Sequence, residues 1–379
     1  MSGESIPVWL DCDPGHDDAF AILLCAHHPS INFLGLSTVH GNSSLANTTQ
    51  NALSLLTAMG RPEVPVYPGA AKSLLRDAVH APDIHGRSGL DGTDLLPKPV
   101  SDPLADDAVK AMAKALLSTP KNSAWLIATG ACTNVALLFA KHPEVAAHLK
   151  GLSIMGGAIG DGFTSAPMGK VSGAASTRIG NWSEWAEFNI LIDPEAADAI
   201  FQNPGINKKT ILIPLDVTHL VLATPDVLEL LSWGKTPHTK GAGKAKTTLR
   251  VMLVELLTFF ADRYASHFAI TAGPPLHDPL AVAAIFDGIP GLEIPFRDFV
   301  AVDGAENKRR RERYAVSVIT EGSHDDAQNG AQTGRTIVKL LDEGQEGVKI
   351  PRGLDVARFW AVLEESLQRA DEVNSAKSV

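Results

Sequence analysis

The chain is poor in cysteine, carries no surplus of positive charge and contains no long apolar run, and each shortage removes a class of function. Its three cysteines, Cys12, Cys25 and Cys132, are odd in number, few for 379 residues and set in apolar surroundings. A disulfide framework is therefore not expected, whereas reduced thiols in a cytoplasmic protein are. A free cysteine ordinarily behaves as a small buried hydrophobe rather than as a nucleophile. Lysine and arginine number 33 against 43 acidic residues, a formal charge of −10, so no overall positive field exists to hold a nucleic-acid polymer. No apolar run approaches the roughly 18 to 20 residues that cross a bilayer. The polar stretch from Met1 to Ser5 leads directly into Val8-Trp9-Leu10, without the basic and apolar regions of a signal peptide. Neither a membrane nor a nucleic acid is an expected partner.

What is present is enough apolar residue, 45 % of the chain, to bury a large core. From residue 6 to about 220, short β-rich apolar runs alternate with helical patterns, which is the signature of βαβ units around a parallel sheet. Strands are predicted at Val8 to Leu10, Ile31 to Val39, Ser123 to Ala128, Gly151 to Met155 and Thr210 to Pro214. Helices are predicted at Ala19 to His27, Asn47 to Met59, Asp106 to Leu117, Thr133 to Lys141 and Pro194 to Gln202, the last opened by Asp193-Pro194. A long helix from Thr248 to His267, a helix opened by His277-Asp278-Pro279 and a terminal amphipathic helix from Asp355 to Ala370 follow. Residues 157–181 and 234–247 read as loop insertions, and the basic run Lys308 to Arg313 as a solvated strand end or loop. The expected architecture is α/β: an open, mostly parallel sheet flanked by helices, in a single large domain.

The chemistry concentrates in Asp11-Cys12-Asp13-Pro14-Gly15-His16-Asp17-Asp18, four aspartates within eight residues between a strand and a helix. Like charges a few ångströms apart raise one another's pKa unless a cation sits among them. Helix capping accounts for one or two of these aspartates, not four. The candidate ligands are all hard oxygens, which favours calcium or magnesium over zinc. An EF-hand is ruled out, because counting from Asp11 the sixth position is His16 instead of glycine and the twelfth is Ile22 instead of glutamate. A haloacid-dehalogenase-type phosphatase also places Asp-x-Asp after its first strand, so this motif alone does not choose the bond to be cut. His40-Gly41-Asn42, Thr129 to Asn134 and Met155-Gly156-Gly157 follow other predicted strands. In an open α/β sheet such turns converge at the carboxyl ends of the strands, where ligands bind.

These segments together resemble the nucleoside hydrolases that prefer inosine and uridine. The resemblance rests on DCDPGHDDAFAILL at the opening, HGN at 40–42, IHGRSG at 84–89, ATGACTN at 128–134, MGG at 155–157, AEFNILIDPEAA at 186–197 and LHDP at 276–279. Their order and spacing hold over roughly residues 6–285. The terminal RGLDVARFWAVLEESL also looks like the family's last helix, whereas residues 160–180 and 303–350 match poorly.

The resemblance implies calcium-dependent hydrolysis of the bond between ribose and base, in a homodimer or homotetramer acting on a small ribonucleoside. It implies a Ca²⁺ site made of the Asp13, Asp18 and Asp278 carboxylates and the Thr129 backbone carbonyl, with Asp11 supporting the cluster from behind. Asp13 is then the general base toward the attacking water and His277 the general acid toward the leaving base. Asp17, Asn42, Asn181, Glu187, Phe188, Asn189 and Asp278 are implied to line the sugar, and His85 to close over the base. Tyr264, Trp182 and Trp185 are candidates for stacking on the base, with ordinary packing as their alternative. Two other functions remain open at this point: a magnesium-dependent phosphatase with Asp11 as nucleophile, and a non-catalytic calcium-dependent nucleoside-binding protein. Base preference, purine, pyrimidine or nicotinamide, is not legible, because Phe259 to Phe268 and the 160–180 loop, which by the resemblance shape the pocket around the base, differ from the better-known members.

Overall fold

In the computed structural model, β1 (Ile6–Cys12) is buried from Pro7 onward on both faces, as its nearly unbroken apolar sequence dictates for a central parallel strand. The structure describes residues 5–168, 179–235, 244–301 and 309–377. β1 is followed by α1 (Asp18–His27), β2 (Ile31–Thr38), α2 (Leu45–Ala58) and β3 (Val66–Pro68), which build one half of a sheet. The other half is built by α3 (Pro82–His85), α4 (Ala108–Leu117), β4 (Trp125–Ala128), α5 (Thr133–Lys141), α6 (Pro143–His148) and β5 (Gly151–Met155). The short α7 (Phe188–Ile192), α8 (Pro194–Phe201) and β6 (Thr210–Ile213) complete it. The six strands are all parallel and lie in the order β3-β2-β1-β4-β5-β6.

Strand order reverses between β1 and β4, where Asp11 lies beside Ala128. The loops leaving these two strands diverge, and the crevice between them is where an open parallel sheet binds ligands. Alternation along the strands sorts the core onto two faces: Val8, Leu10, Cys12 and Ile127 join one apolar cluster, while Trp9, Leu126 and Ala128 join the other. On the first face, α1 is buried at all ten positions and packs against α12 (Asp278–Ala283) and α14 (Val356–Lys377). A helix that is apolar all round is one enclosed on all sides. This enclosure is why the aspartates at its amino end sit in a dry setting.

α9 (Leu215–Thr218), α10 (Pro225–Trp233) and α11 (Thr248–Phe268) lead from β6 to α12. Beyond α12 come two antiparallel pairs, β7 (Phe299–Ala301) with β8 (Arg309–Arg311) and β9 (Tyr314–Val318) with β10 (Thr336–Leu340). α13 (His324–Gln328), with a Ser323–Asp326 capping box, joins β9 to β10. The basic run near residue 310 is therefore partly a strand, and Arg313 at its end pairs with Asp298 at 2.9 Å. Among the elements with no counterpart in the sequence expectations, which also include α3, α7, α9, α10, α13 and the two antiparallel pairs, are β3 and α6. The first is a three-residue edge strand ending in proline, the second a six-residue helix too short to show a period. The terminal helix runs seven residues further than expected, to Lys377. Of the two predicted loops, residues 169–178 and 236–243 lie outside the described residues. No described helix is long and apolar enough to cross a membrane.

α11 is locked to the C-terminal helix by a fully buried cation. Arg250 donates from Nε to Asp371 at 2.6 Å, from Nη2 to Glu364 at 3.1 Å and from Nη1 to the Leu231 carbonyl at 2.7 Å. Removing one member of a buried ion group leaves the others desolvated and unpaired. Arg250→Met is therefore expected to lower the unfolding free energy by about 3–5 kcal/mol in urea titrations; a loss below about 1 kcal/mol would show that the group contributes little.

Candidate active site

The floor of the site is the turn between β1 and α1. Asp11, at the end of the strand, accepts hydrogen bonds from the Ser37 hydroxyl and from Asn134 Nδ2 (2.8 Å). Two residues on, Asp13 Oδ2 accepts from Asn42 N at 2.7 Å, while Asp13 Oδ1 is buried with no hydrogen-bond partner. Gly41 and Gly130 flank this carboxylate so closely that a Cβ on either would collide with it. Asp18 Oδ2 accepts from Gly15 N (2.9 Å) and Asn42 Nδ2 (3.2 Å), and its Oδ1 from the Thr129 hydroxyl (3.0 Å). From across the fold, α12 brings Asp278, whose backbone N–H donates to Asp17 Oδ2 at 3.4 Å. Carboxylate oxygens of Asp17, Asp18 and Asp278 lie within 4.8 Å of one another.

Burial pushes the carboxyl groups up: Asp11 and Asp17 to about 7, Asp13 and Asp278 well above their ordinary range, and Asp18 upward as well. Mutual repulsion adds to burial at Asp13, Asp17 and Asp278. An unpartnered carboxylate oxygen beside three crowded acids, with oxygen donors only, fits a hard divalent cation. The geometric trio differs from the expected ligand set in containing Asp17 where the resemblance put Asp13. The Thr129 carbonyl, the expected backbone ligand, accepts from Asn189 Nδ2 at 2.8 Å and keeps its second lone pair.

One wall comes from α7. The AEFN segment begins this helix: Glu187 is its N-cap, accepting from Asn189 N (2.9 Å), Ile190 N (3.1 Å) and Gly157 N (2.8 Å). Asn181 accepts from Phe188 N at 2.9 Å, which ties the end of the preceding loop to the same helix. Asp17, Asn42, Asn181, Glu187, Phe188 and Asn189 all line one pocket, together with His85, His277 and Asp278. The sequence-predicted contacts are thus brought together, with Asp13 and Asp18 fully buried beneath.

The opposite end of the pocket is aromatic and is governed by two histidine chains. His277 lies between two hydroxyls, with Nδ1 2.7 Å from Thr218 Oγ1 and Nε2 2.7 Å from Tyr264 OH. Burial, then the neighbouring His219 and His85, lowers the His277 pKa far below its ordinary value, so the ring is neutral. Tyr264 also hydrogen-bonds Asn181. His85 ends α3 with Nδ1 3.1 Å from Nδ1 of His16, whose Nε2 meets the Asp91 carbonyl at 2.8 Å. His16 stacks parallel to Phe259 and Phe260, with centroids 5.1 and 5.4 Å away. The free space enclosed is only about 50 Å³, against the roughly 300 Å³ or more of typical ligand sites.

Sequence reasoning placed Tyr264 only as a stacking candidate and missed Thr218, Phe260 and the clasp by His16. The signal for His16 was its place inside the aspartate motif. Trp182 lines the pocket against Phe188, centroids 5.0 Å apart, whereas Trp185 is capped by the Arg335 guanidinium at 4.6 Å and does not line it.

The family profile described as inosine-uridine preferring nucleoside hydrolase matches residues 8–361. Uridine nucleosidase of Saccharomyces cerevisiae is 37 % identical over 380 residues, covering 99 % of both chains. The pyrimidine-specific ribonucleoside hydrolase RihA of Citrobacter koseri is 38 % identical over 279 residues, 74 % of this chain and 78 % of that one. Among solved structures, a purine-preferring ribonucleoside hydrolase from Gardnerella vaginalis superposes with a TM-score of 0.72 at 25 % identity, covering 97 % of this chain and 99 % of that one.

The raised acids link stability to pH. Asp11 and Asp17 titrate at about 7 in the cation-free fold but near about 4 when unfolded. Between those limits the folded state holds more protons, so cation-free stability falls as pH rises through the window and stays low above it. A divalent cation binds the ionised carboxylates and offsets that loss. The Tm gain on adding calcium chloride to chelator-treated protein is expected to be small at pH 5 and largest at pH 8; a gain that is flat or shrinks with pH would contradict the site.

Proposed function

Since the chain belongs to the inosine-uridine preferring nucleoside hydrolase family and is a nucleoside hydrolase, we propose that it cleaves pyrimidine ribonucleosides, uridine foremost, with calcium in the acidic niche. The uridine preference is supported by the full-length likeness to a uridine nucleosidase and by the likeness to pyrimidine-specific hydrolases. Family membership also removes the phosphatase and the non-catalytic binder as readings. Residence in the cytoplasm is supported by the three buried, unpaired cysteines.

The observation that carries the mechanism is the buried, unpartnered Asp13 Oδ1 beside the trio of acids. Asn42 N–H holds the other oxygen, and Gly41 and Gly130 fix the carboxylate between them. Asp13 thus has one oxygen free to take a proton from a water attacking the anomeric carbon. Asp18, Asp278, Asp13, the Thr129 carbonyl and the neighbouring Asp17 are the groups that would hold the cation. Calcium, when bound, supplies a hard positive charge that acidifies a nearby water and orders vicinal hydroxyls.

Asp17, Asn42, Asn181, Glu187 and Asn189 orient the ribose, and their carboxylate and amide oxygens oppose the positive charge that develops on the sugar ring as the bond breaks. At the other end the leaving base needs a proton. A neutral His277 is a poor acid by itself. With Thr218 O–H donating to Nδ1, the Nε2–H of His277 donates to Tyr264, whose own proton then points to the base. Tyr264 and His277 act as one donor, and His85 with Phe260 encloses the base.

Purified protein incubated with uridine, cytidine and inosine is expected to release ribose fastest from uridine, to stop with a chelator and to recover with calcium. Fastest release from inosine would overturn the pyrimidine preference, and chelator-resistant turnover would overturn the calcium requirement. Asp13→Asn should lower turnover by about 10² to 10⁴ with the fold intact; near-normal rates would remove it as the base. Tyr264→Phe and His277→Ala should each slow uridine cleavage by about 10²-fold or more, yet barely affect a nitrophenyl riboside whose leaving group needs no proton. Equal losses on both substrates would contradict the relay.

A further inference from the structure

At the end of the sheet opposite the acidic niche, β4, β5 and β6 begin side by side above a cavity of about 400 Å³. Five cations wall it, Lys150, Lys208, Lys209, Arg313 and Lys349, against one carboxylate, Asp287. That is an unusual concentration in a chain whose net charge is −10. Topology makes it so: Lys150 immediately precedes β5, Lys208 and Lys209 immediately precede β6, and Lys349 bridges to Ile211 within β6.

These cations are only partly compensated. Lys349 pairs with Asp287, Lys208 with Glu346 at 3.0 Å and Arg313 with Asp298 at 2.9 Å. Lys209 has no acid; its Nζ donates to the Leu149 and Ala147 carbonyls at 2.8 and 3.2 Å, at the carboxyl end of α6. Burial, then the charges of Lys121 and Lys208, lowers its pKa, so like charges crowd here as the acids do at the other end. Lys150 makes no ion pair among the described residues, and it is exposed at the rim. Trp125, also in the wall, is 8 % exposed, and its buried indole N–H has no acceptor.

We propose that this cavity is a second ligand site, for a small phosphate monoester. A doubly charged phosphate presents three terminal oxygens and can meet several ammonium groups and a guanidinium at once, as a carboxylate cannot. The volume falls within the range of small-molecule sites. The chain's overall negative charge argues against a nucleic-acid polymer there. The back wall is Ala284 and Ile285, at the end of the helical run that begins with Asp278, so a ligand in this cavity touches the element that carries an active-site acid. Binding does not depend on the chemistry of the first site.

The test is calorimetric titration of the full-length protein at low salt with ribose 5-phosphate, uridine 5′-monophosphate and inorganic phosphate. Wild-type protein should bind ribose 5-phosphate, more weakly as salt rises. Lys150→Glu combined with Lys208→Glu, both at exposed positions, should weaken binding by at least about tenfold while uridine turnover stays within about twofold. The neutral pair Lys150→Gln with Lys208→Gln should move in the same direction by less. Binding of inorganic phosphate equal to that of the sugar phosphate would assign the cavity to the phosphate group alone, which still supports the site. No binding of any of the three, binding unchanged in the charge-reversed protein, or binding of an RNA homopolymer in preference to all three would overturn it.

Discussion

The constraint on which the rest depends is the burial of several carboxylates in one dry niche. Asp11, Asp13, Asp17, Asp18 and Asp278 are each at most 4 % exposed, and no cation is named among the influences on their titration. Backbone N–H groups, Asn42, Asn134 and two hydroxyls satisfy most of their oxygens, yet Asp11 Oδ2 and Asp13 Oδ1 are left over. Such an arrangement is stable at neutral pH only with protons or a metal ion in it. A protein that used protons would have inert acids there; one that uses a cation has an electrophilic centre and a base in the same few ångströms.

Everything around the niche follows from the sheet. The reversal of strand order at β1 and β4 opens the crevice, the enclosed α1 holds Asp17 and Asp18 out of water, and α12 brings Asp278 from 261 residues away to meet Asp17. α11, fixed to the C-terminal helix through Arg250, brings Phe260 and Tyr264 over the base end. Acidic and basic cavities thus sit at opposite ends of the same strands. Parallel strands place all their leaving loops on one rim and all their entering loops on the other, so each rim can evolve its own charge.

Much of this was legible in the chain. The DCDPGHDD turn, HGN, ATGACTN and AEFN stood out because carboxylates, glycines and asparagines were set at strand ends, where side chains converge whatever the details of packing. The alternation of apolar strands and helices gave the parallel sheet and nearly all of its strands. β3 and α6 escaped because three and six residues carry no measurable period. The partnership of Tyr264 with His277 and Thr218 escaped for another reason: it depends on the rotation of α11 and on how closely α9 approaches α12, and neither is written in local spacing. The exchange of Asp13 for Asp17 in the closest group of acids is similar, since the residues of one turn point in directions that only the turn geometry decides. Trp185 looked like Trp182 in sequence, yet one faces the pocket and the other lies under Arg335.

The most direct measurement is a crystal structure of the wild-type protein grown with calcium, with the ion identified by its anomalous signal. One hard cation is expected in the niche at about 2.3–2.6 Å from carboxylate oxygens, including those of Asp13, Asp18 and Asp278. A well-ordered niche that holds no ion at saturating calcium, with its acids turned away from one another, would contradict it.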